Sequence, residues 1–203
     1  MERWVLLRKG ADFEAIGKKY QISPRLACLI RNRDVIGEEA VDRYLNGTIS
    51  DLYDGMLMKD MDKAIDILKE KILEDKKIRV IGDYDIDGVM STYILLESLR
   101  GLGCDVDMMI PNRITDGYGI NEHLIEQAWQ EGRDTIITCD NGIAASAQIA
   151  YGNSLGLTIV VTDHHDIPFQ KENDEITYLL PPAAAVINPK QKDCSYPFKS
   201  ICG

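Results

Sequence analysis

Gly82-Asp83-Tyr84-Asp85-Ile86-Asp87-Gly88 follows directly on the apolar run Ile78-Arg79-Val80-Ile81, so three carboxylates fall within five residues where a strand ends. Unpaired, that much negative charge in one turn repels itself, whereas carboxylates two residues apart can converge on one divalent cation. An acidic Asp-Gly turn is also ordinary surface chemistry. Repetition separates the two readings. Thr135-Ile136-Ile137-Thr138-Cys139 ends in Asp140-Asn141-Gly142, and Leu157-Thr158-Ile159-Val160-Val161-Thr162 ends in Asp163-His164-His165-Asp166. Three strands therefore deliver acids at their carboxyl ends.

Outward from these runs, strands and helical patterns alternate. Strands are expected at 78–82, 106–110, 135–139, 157–162 and 184–187, with helices at 59–73, 89–102, 121–131 and 144–155. Alternation of this kind predicts an α/β fold, a mostly parallel five-stranded sheet flanked by helices. Ahead of it Phe13, Ile16, Tyr20, Leu26, Leu29, Ile30, Ala40, Val41 and Tyr44 recur at helical spacing, broken by Ser23-Pro24 and Gly37. The domain reading is a helical N-terminal lobe over 1–58 and an α/β domain over 59–203. Gln170 to Glu175 reads as an exposed charged loop, and Pro181-Pro182 breaks the chain before the last strand.

Composition narrows the function classes. With 45% hydrophobic and 28% charged residues, the chain has the balance of a soluble globular protein. No apolar stretch approaches the roughly 18 residues of a membrane helix, and Trp4-Val5-Leu6-Leu7 is too short for a signal-peptide core, so the expectation is a cytoplasmic protein without a membrane segment. The five cysteines form no Cys-x-x-Cys pair, which excludes a zinc-finger spacing; Cys28, Cys104 and Cys139 read as small hydrophobes. A formal charge of −10 argues against a protein that simply coats nucleic acid. Residues 1–33 nevertheless hold eight Lys or Arg against three acids, either a basic lobe or a helical surface with scattered charges.

In open parallel sheets ligands bind outside the carboxyl ends of the strands, where every acidic motif here falls. Asp85, Asp87, Asp140 and His164 make a mainly oxygen donor set with one nitrogen, which suits Mn²⁺ or Mg²⁺ better than zinc or copper. With these acids two ions about 3.5–4 Å apart can share a bridging Asp, the arrangement for in-line attack at phosphorus. His165 reads either as a support for the ligands or as a substrate contact, and Asp163 as the group that orients an imidazole. Arg113, in the loop from Pro111 to Gly119, either clamps a phosphate or pairs with Asp116. Tyr118 either stacks on a base or packs, and Asn141-Gly142 opens a helix whose amides face an anion.

Asp83-Tyr84-Asp85-Ile86-Asp87-Gly88, Pro111-Asn112-Arg113 with Gly117-Tyr118-Gly119, Asp140-Asn141-Gly142 and Asp163-His164-His165 resemble the ordered motifs of the DHH phosphoesterases. The likeness covers nearly the whole chain and is closest to the RecJ-type branch, single-strand-specific 5′→3′ DNA exonucleases. Asp60-Met61-Asp62-Lys63-Ala64, Ile187-Asn188-Pro189-Lys190 and Cys194-Ser195-Tyr196-Pro197 are similar to that branch. The resemblance implies Asp83, Asp85, Asp87, Asp140 and His164 as ligands of an Mn²⁺ or Mg²⁺ pair. It further implies a role for His165 near the scissile phosphate; with it Asp140 is the candidate catalytic group, and Arg113, Tyr118, Asn141 and Gly142 are the candidate substrate contacts read from the residues themselves. Ile86 departs from the pattern, standing where a small residue is usual. The family places one more metal-binding Asp downstream of the last residue here, followed by a second domain and an OB-fold, so the chain reads as a phosphoesterase domain cut short at its C-terminal end. The function implied is that of an exonuclease on single-stranded DNA in repair and recombination. Its alternatives are a DHH enzyme for short oligoribonucleotides, cyclic dinucleotides or pyrophosphate, and a non-catalytic DNA-binding scaffold.

Overall fold

In the parallel strands, neighbouring side chains part to opposite faces and so build two layers of core. Within β1 (Ile78–Ile81), Ile78 and Val80 join one cluster and Ile81 another; within β3 (Thr135–Cys139), Ile136 and Ile137 divide the same way. β4 (Thr158–Thr162) repeats it with Ile159 and Val161 against Val160. Strands apolar on both faces must be covered on both, and each buried Ile contributes about 1.5–3 kcal/mol. Leu68 and Ile72 of α4 (Met61–Leu73) and Leu96 and Leu99 of α5 (Ile86–Gly101) cover one face. Leu124 and Ile125 of α6 (Glu122–Gln130) and Ile149 of α7 (Ser146–Ser154) cover the other. With β2 (Val106–Met109) and β7 (Ala185–Ile187), the sheet runs β2-β1-β3-β4-β7, every pair parallel. The α/β reading with five parallel strands is what the structure has.

The description comes from a computed structural model and covers Val5, residues 9–173 and residues 175–203. Glu2, Arg3 and Arg8 of the basic segment and Trp4, Leu6 and Leu7 of the short apolar stretch lie outside the described residues, as does Asp174. The chain divides into two units, residues 1–52 and 53–203. The first holds α1 (Phe13–Tyr20), α2 (Pro24–Asn32) and α3 (Glu38–Asn46), with Ala27, Ile30 and Val41 buried. Asp12 and Ser23 cap α1 and α2 by accepting from Ala15 N and Leu26 N, and Pro24 occupies the first turn, where its missing N–H costs nothing. Part of its positive charge is met from within: Lys9 pairs with Asp34 at 2.5 Å and Lys19 with Glu38 at 2.6 Å, both acids just beyond residue 33, while Lys18, Arg25 and Arg33 are exposed without an ion pair among the described residues.

The loop expected over Gln170 to Glu175 is corrected. The segment is exposed, but most of it belongs to an antiparallel hairpin, β5 (Phe169–Glu172) and β6 (Glu175–Tyr178), closed through Asn173 at φ 48°. Asn tolerates the left-handed turn, and Phe169 faces Tyr178 across the strands with ring centroids 6.3 Å apart. Both faces are exposed, so the pairing leaves no buried alternation in the sequence. No helix among the described residues is long and apolar enough to cross a membrane.

Candidate metal centre

β1 and β3 are neighbours, yet β1 leads into α5 on one face and β3 towards α7 on the other. A crevice opens between their carboxyl ends. Around β1 the two glycines of the motif let the start of α5 close onto the strand. A Cβ on Gly88 would stand 2.6 Å from the backbone N and O of Asp83, and one on Gly82 would stand 1.9 Å from Thr92 Oγ1. That closure buries Asp83, leaves Asp85 as the N-cap of α5 and sets Asp87 in its first turn. Asp85 Oδ1 accepts from Asp87 N at 2.9 Å and Gly88 N at 3.0 Å. The amide of Gly88 foremost, opposed by some burial, holds its carboxyl below the ordinary range. The helix thus begins at Ile86, three residues earlier than expected, because an aspartate read as turn is a cap. Ile86 is 76% exposed, so the departure from the motif leaves the acids untouched.

At the end of β3, Asp140 adopts φ 60°, a left-handed backbone that costs a non-glycine residue on the order of 1–3 kcal/mol. Gly142 follows at φ 108°, where a Cβ would meet Thr138 Oγ1 at 2.6 Å. Asn141 fixes the turn: its amide nitrogen donates to the carbonyls of Ile81 (3.1 Å) and Cys139 (2.9 Å), and its Oδ1 accepts from Ile120 N. Asn141 is 1% exposed and its amide nitrogen is committed to backbone carbonyls, so its side chain ties β1 to β3. One correction follows: α7 opens at Ser146, not at Gly142, and the amide of Ile143 donates to Asp163. At the end of β4, the Asp163 carboxylate accepts from Ile143 N (2.9 Å), His164 N (2.7 Å) and His165 N (3.1 Å), and its Oδ1 lies 2.7 Å from His165 Nδ1. Asp163 therefore orients the His165 imidazole and holds the main chain of His164.

These strand ends bring the acids together. Ligand atoms of Asp83, Asp85 and Asp140 lie within 4.8 Å of one another, as do those of Asp140, His164 and His165. His164 Nε2 is 2.9 Å from Asp140 Oδ1 and 3.6 Å from Asp87 Oδ2. His164 Nδ1 lies 2.9 Å from the carbonyl of Ile201, which can only accept; the neutral ring therefore carries its hydrogen on Nδ1 and presents a lone pair from Nε2. Both oxygens of Asp83 and both of Asp140 are buried without a hydrogen-bond partner among the described residues. Burial first, then the charges of Asp85 and Asp87, pushes the Asp140 carboxyl up to about 6. Burial raises Asp83 as well, against the amide dipole of Tyr84. Orphaned carboxylates on Asp83 and Asp140, with Asp85 beside both and the His164 nitrogen beside Asp140, are a mismatch as they stand and fit hard divalent cations.

Around this centre, burial lowers the His165 imidazole, but its bond to Asp163 and the charges of Asp163 and Asp140 outweigh that and raise it overall. The Tyr118 hydroxyl lies 3.2 Å from His165 Nε2 and 3.3 Å from the Asp140 carbonyl; burial first, then the surrounding carboxylates, makes it a weaker acid. Its ring packs edge-on against His165 and Tyr84 and is 55% exposed. Asp116 accepts from Asn112 N at 2.7 Å and closes its own loop; among the described residues Arg113 makes no ion pair and instead lies over the Tyr84 ring, 5.4 Å from its centroid. Sequence reasoning missed Tyr84 and Asn188, whose amide donates to the His165 carbonyl at 3.0 Å; neither side chain carries charge, so neither stood out beside the acids.

Residues 77–203 match the DHH family, N-terminal domain, by more than half of the chain. The chain belongs to the DHH family. Within it the DHH chain is similar to the single-stranded-DNA-specific exonuclease RecJ of Bacillus subtilis, 37% identical over 202 residues, and to that of Escherichia coli, 34% identical over 204. The matches cover 99% and 100% of this chain but 25% and 33% of those relatives, so it spans a quarter to a third of their length. Among solved structures, an exonuclease RecJ bound to manganese superposes with a TM-score of 0.60 at 32% identity, covering 70% of this chain and 34% of that one. RecJ of Thermus thermophilus in complex with Mn²⁺ gives 0.60 at 26% identity, covering 96% and 27%.

Proposed function

We propose that this chain carries the metal-dependent phosphodiesterase centre of a RecJ-type exonuclease, removing nucleotides from the 5′ end of single-stranded DNA during repair and recombination in the cytoplasm. One observation carries the reading: Asp140, whose two carboxylate oxygens are buried without a hydrogen-bond partner among the described residues, is shared by two ligand sets, Asp83 with Asp85 on one side and His164 with His165 on the other. Mn²⁺ or Mg²⁺, as an ion pair held by Asp83, Asp85, Asp87, Asp140 and His164, supplies Lewis-acid polarisation of the phosphodiester when bound. The protein's share is to position and to move protons. Asp163 anchors His165 through Nδ1; Nε2, 3.2 Å from the Tyr118 hydroxyl, is the remaining ring nitrogen and would exchange a proton at the scissile phosphate when substrate takes the place of that hydroxyl. Arg113, free of carboxylate partners among the described residues, offers its fork to a phosphate, and the Gly142 turn lines the approach. Similarity to single-stranded-DNA-specific exonucleases along the whole chain supports the choice of polymer.

The test uses the native gene product in Mn²⁺ with 5′- and 3′-labelled single strands and duplexes. Single strands are expected to shorten from the 5′ end while duplexes survive. Equal cleavage of duplex, or activity confined to short RNA, reassigns the substrate; tight Mn²⁺ binding without hydrolysis of any phosphodiester makes the protein a scaffold.

A further inference from the structure

Tyr84 stands between two of the acids, and its main chain is fixed on both sides by the burial of Asp83 and the cap made by Asp85. Its half-buried ring touches two partners. The Arg113 guanidinium lies over it at 5.4 Å, and Tyr118 meets it edge-on with centroids 6.2 Å apart at 87°. Tyr118 in turn meets His165 edge-on at 6.0 Å and reaches its Nε2 with the hydroxyl at 3.2 Å. An unbroken run of contacts therefore leads from the free guanidinium to the imidazole, with Tyr84 in the middle. The loop that carries Arg113 is otherwise tied to itself: Asn112 Oδ1 accepts from Ile114 N, and Asp116 accepts from Asn112 N. Those bonds shape the loop without fixing where the long Arg113 side chain points. Among the described residues, the partner that does so is the Tyr84 ring, whose electron-rich face attracts the cation.

We propose that Tyr84 is a positioning residue, holding Arg113 at a set distance from the acid edge so that phosphate capture and the His165 imidazole are in register. The proposal rests on the phosphodiesterase reading above. A guanidinium steered in this way has less rotamer freedom to lose when it takes a phosphate, so the gain falls on substrate binding more than on the chemical step.

Hydrolysis of a 5′-phosphorylated single-stranded oligonucleotide by the native gene product in Mn²⁺ tests it. Tyr84→Ala is expected to raise KM about tenfold with kcat within about threefold. Tyr84→Phe should recover the wild-type KM, because Tyr84 Oη makes no hydrogen bond among the described residues, whereas Tyr84→Leu keeps bulk without an aromatic face and should resemble Ala. In an Arg113→Ala background, Tyr84→Ala should add less than about twofold, since both changes remove one interaction. Calorimetric Mn²⁺ affinity should be unchanged in Tyr84→Ala. Affinity for Mn²⁺ falling in step with KM would mean that the ring supports the Asp83–Asp85 turn and not Arg113, and the proposal fails. Recovery by Leu, or multiplicative effects in the double variant, overturns it too. If the wild type spares DNA and hydrolyses another phosphodiester, the substrate reading is what has failed, and the same variants on that phosphodiester decide the role of Tyr84.

Discussion

With its backbone at φ 60° and its carboxylate buried beside Asp85 and Asp87, Asp140 is where folding and metal binding pull in opposite directions. Its carboxyl titrates at about 6 in the folded protein against 3.8 for the free side chain. A raised acid means that the folded state holds the proton more tightly than the unfolded one. The contribution of this group to metal-free stability is therefore greatest below about pH 4 and is lost as pH rises through 4 to 6, a change on the order of 1–3 kcal/mol. Asp140→Asn should remove that loss. Asn accepts the left-handed backbone that Ala would strain, so the metal-free variant should equal or exceed the wild type in urea denaturation at pH 7. The same change should weaken Mn²⁺ binding by about 100-fold or more in calorimetry, since it deletes an anionic ligand from the middle of the set. A variant that lost stability at pH 7 while keeping its Mn²⁺ affinity would place Asp140 outside the centre.

At the level of elements, the joint between β1 and α5 is the part most sensitive to volume. Gly88→Ala drives a methyl against main-chain atoms of Asp83 at 2.6–2.7 Å, and backbone at a strand end has nowhere to yield. The expected cost is about 2–4 kcal/mol in denaturant unfolding, with Mn²⁺ affinity reduced because α5 moves off the acids it carries. A neutral Gly88→Ala would mean that the helix start does not seat on Asp83. This joint also marks how far the sequence could be read. The buried strands were legible because an apolar run ending in Asp or Gly leaves few alternatives, and the acids because like charges gathered at three strand ends have no structural purpose of their own. The start of α5 was not, since Asp85 has the same composition as a cap or as a turn. The hairpin of β5 and β6 was hidden for a different reason: it buries neither face, and charge then looks the same in a strand as in a loop. The tie that Asn141 makes between β1 and β3 was not legible, because a side-chain amide is equally suited to a phosphate and to two carbonyls. Only the position of Ile81 and Cys139 decides between them.

Across the whole molecule, the proposed substrate is a polyanion, and a chain of net charge −10 would have to meet it at the edge that carries Asp83, Asp85, Asp87 and Asp140. In the N-terminal unit Lys9 and Lys19 are paired with Asp34 and Glu38, which leaves Lys18, Arg25 and Arg33 as the exposed cations without an ion pair among the described residues of that unit, a small set to hold a strand by itself. Affinity for single-stranded DNA should therefore come from the bound cations together with Arg113, not from a basic face. Fluorescence anisotropy with a labelled single strand separates the two sources. In Ca²⁺, which fills oxygen-rich sites, binding should be measurable; in EDTA it should weaken by about 100-fold, because the exposed carboxylates then repel the phosphates. The salt dependence should be shallow. Each phosphate neutralised by a protein cation contributes about −0.7 to the slope of log K against log salt for a single strand, so two or three contacts give a slope of roughly −1.5 to −2. Binding that persists in EDTA with a steep slope would instead come from many Lys and Arg contacts. The strand would then be gripped by the N-terminal basic segment, with the metal edge left to act only on the phosphate that reaches it.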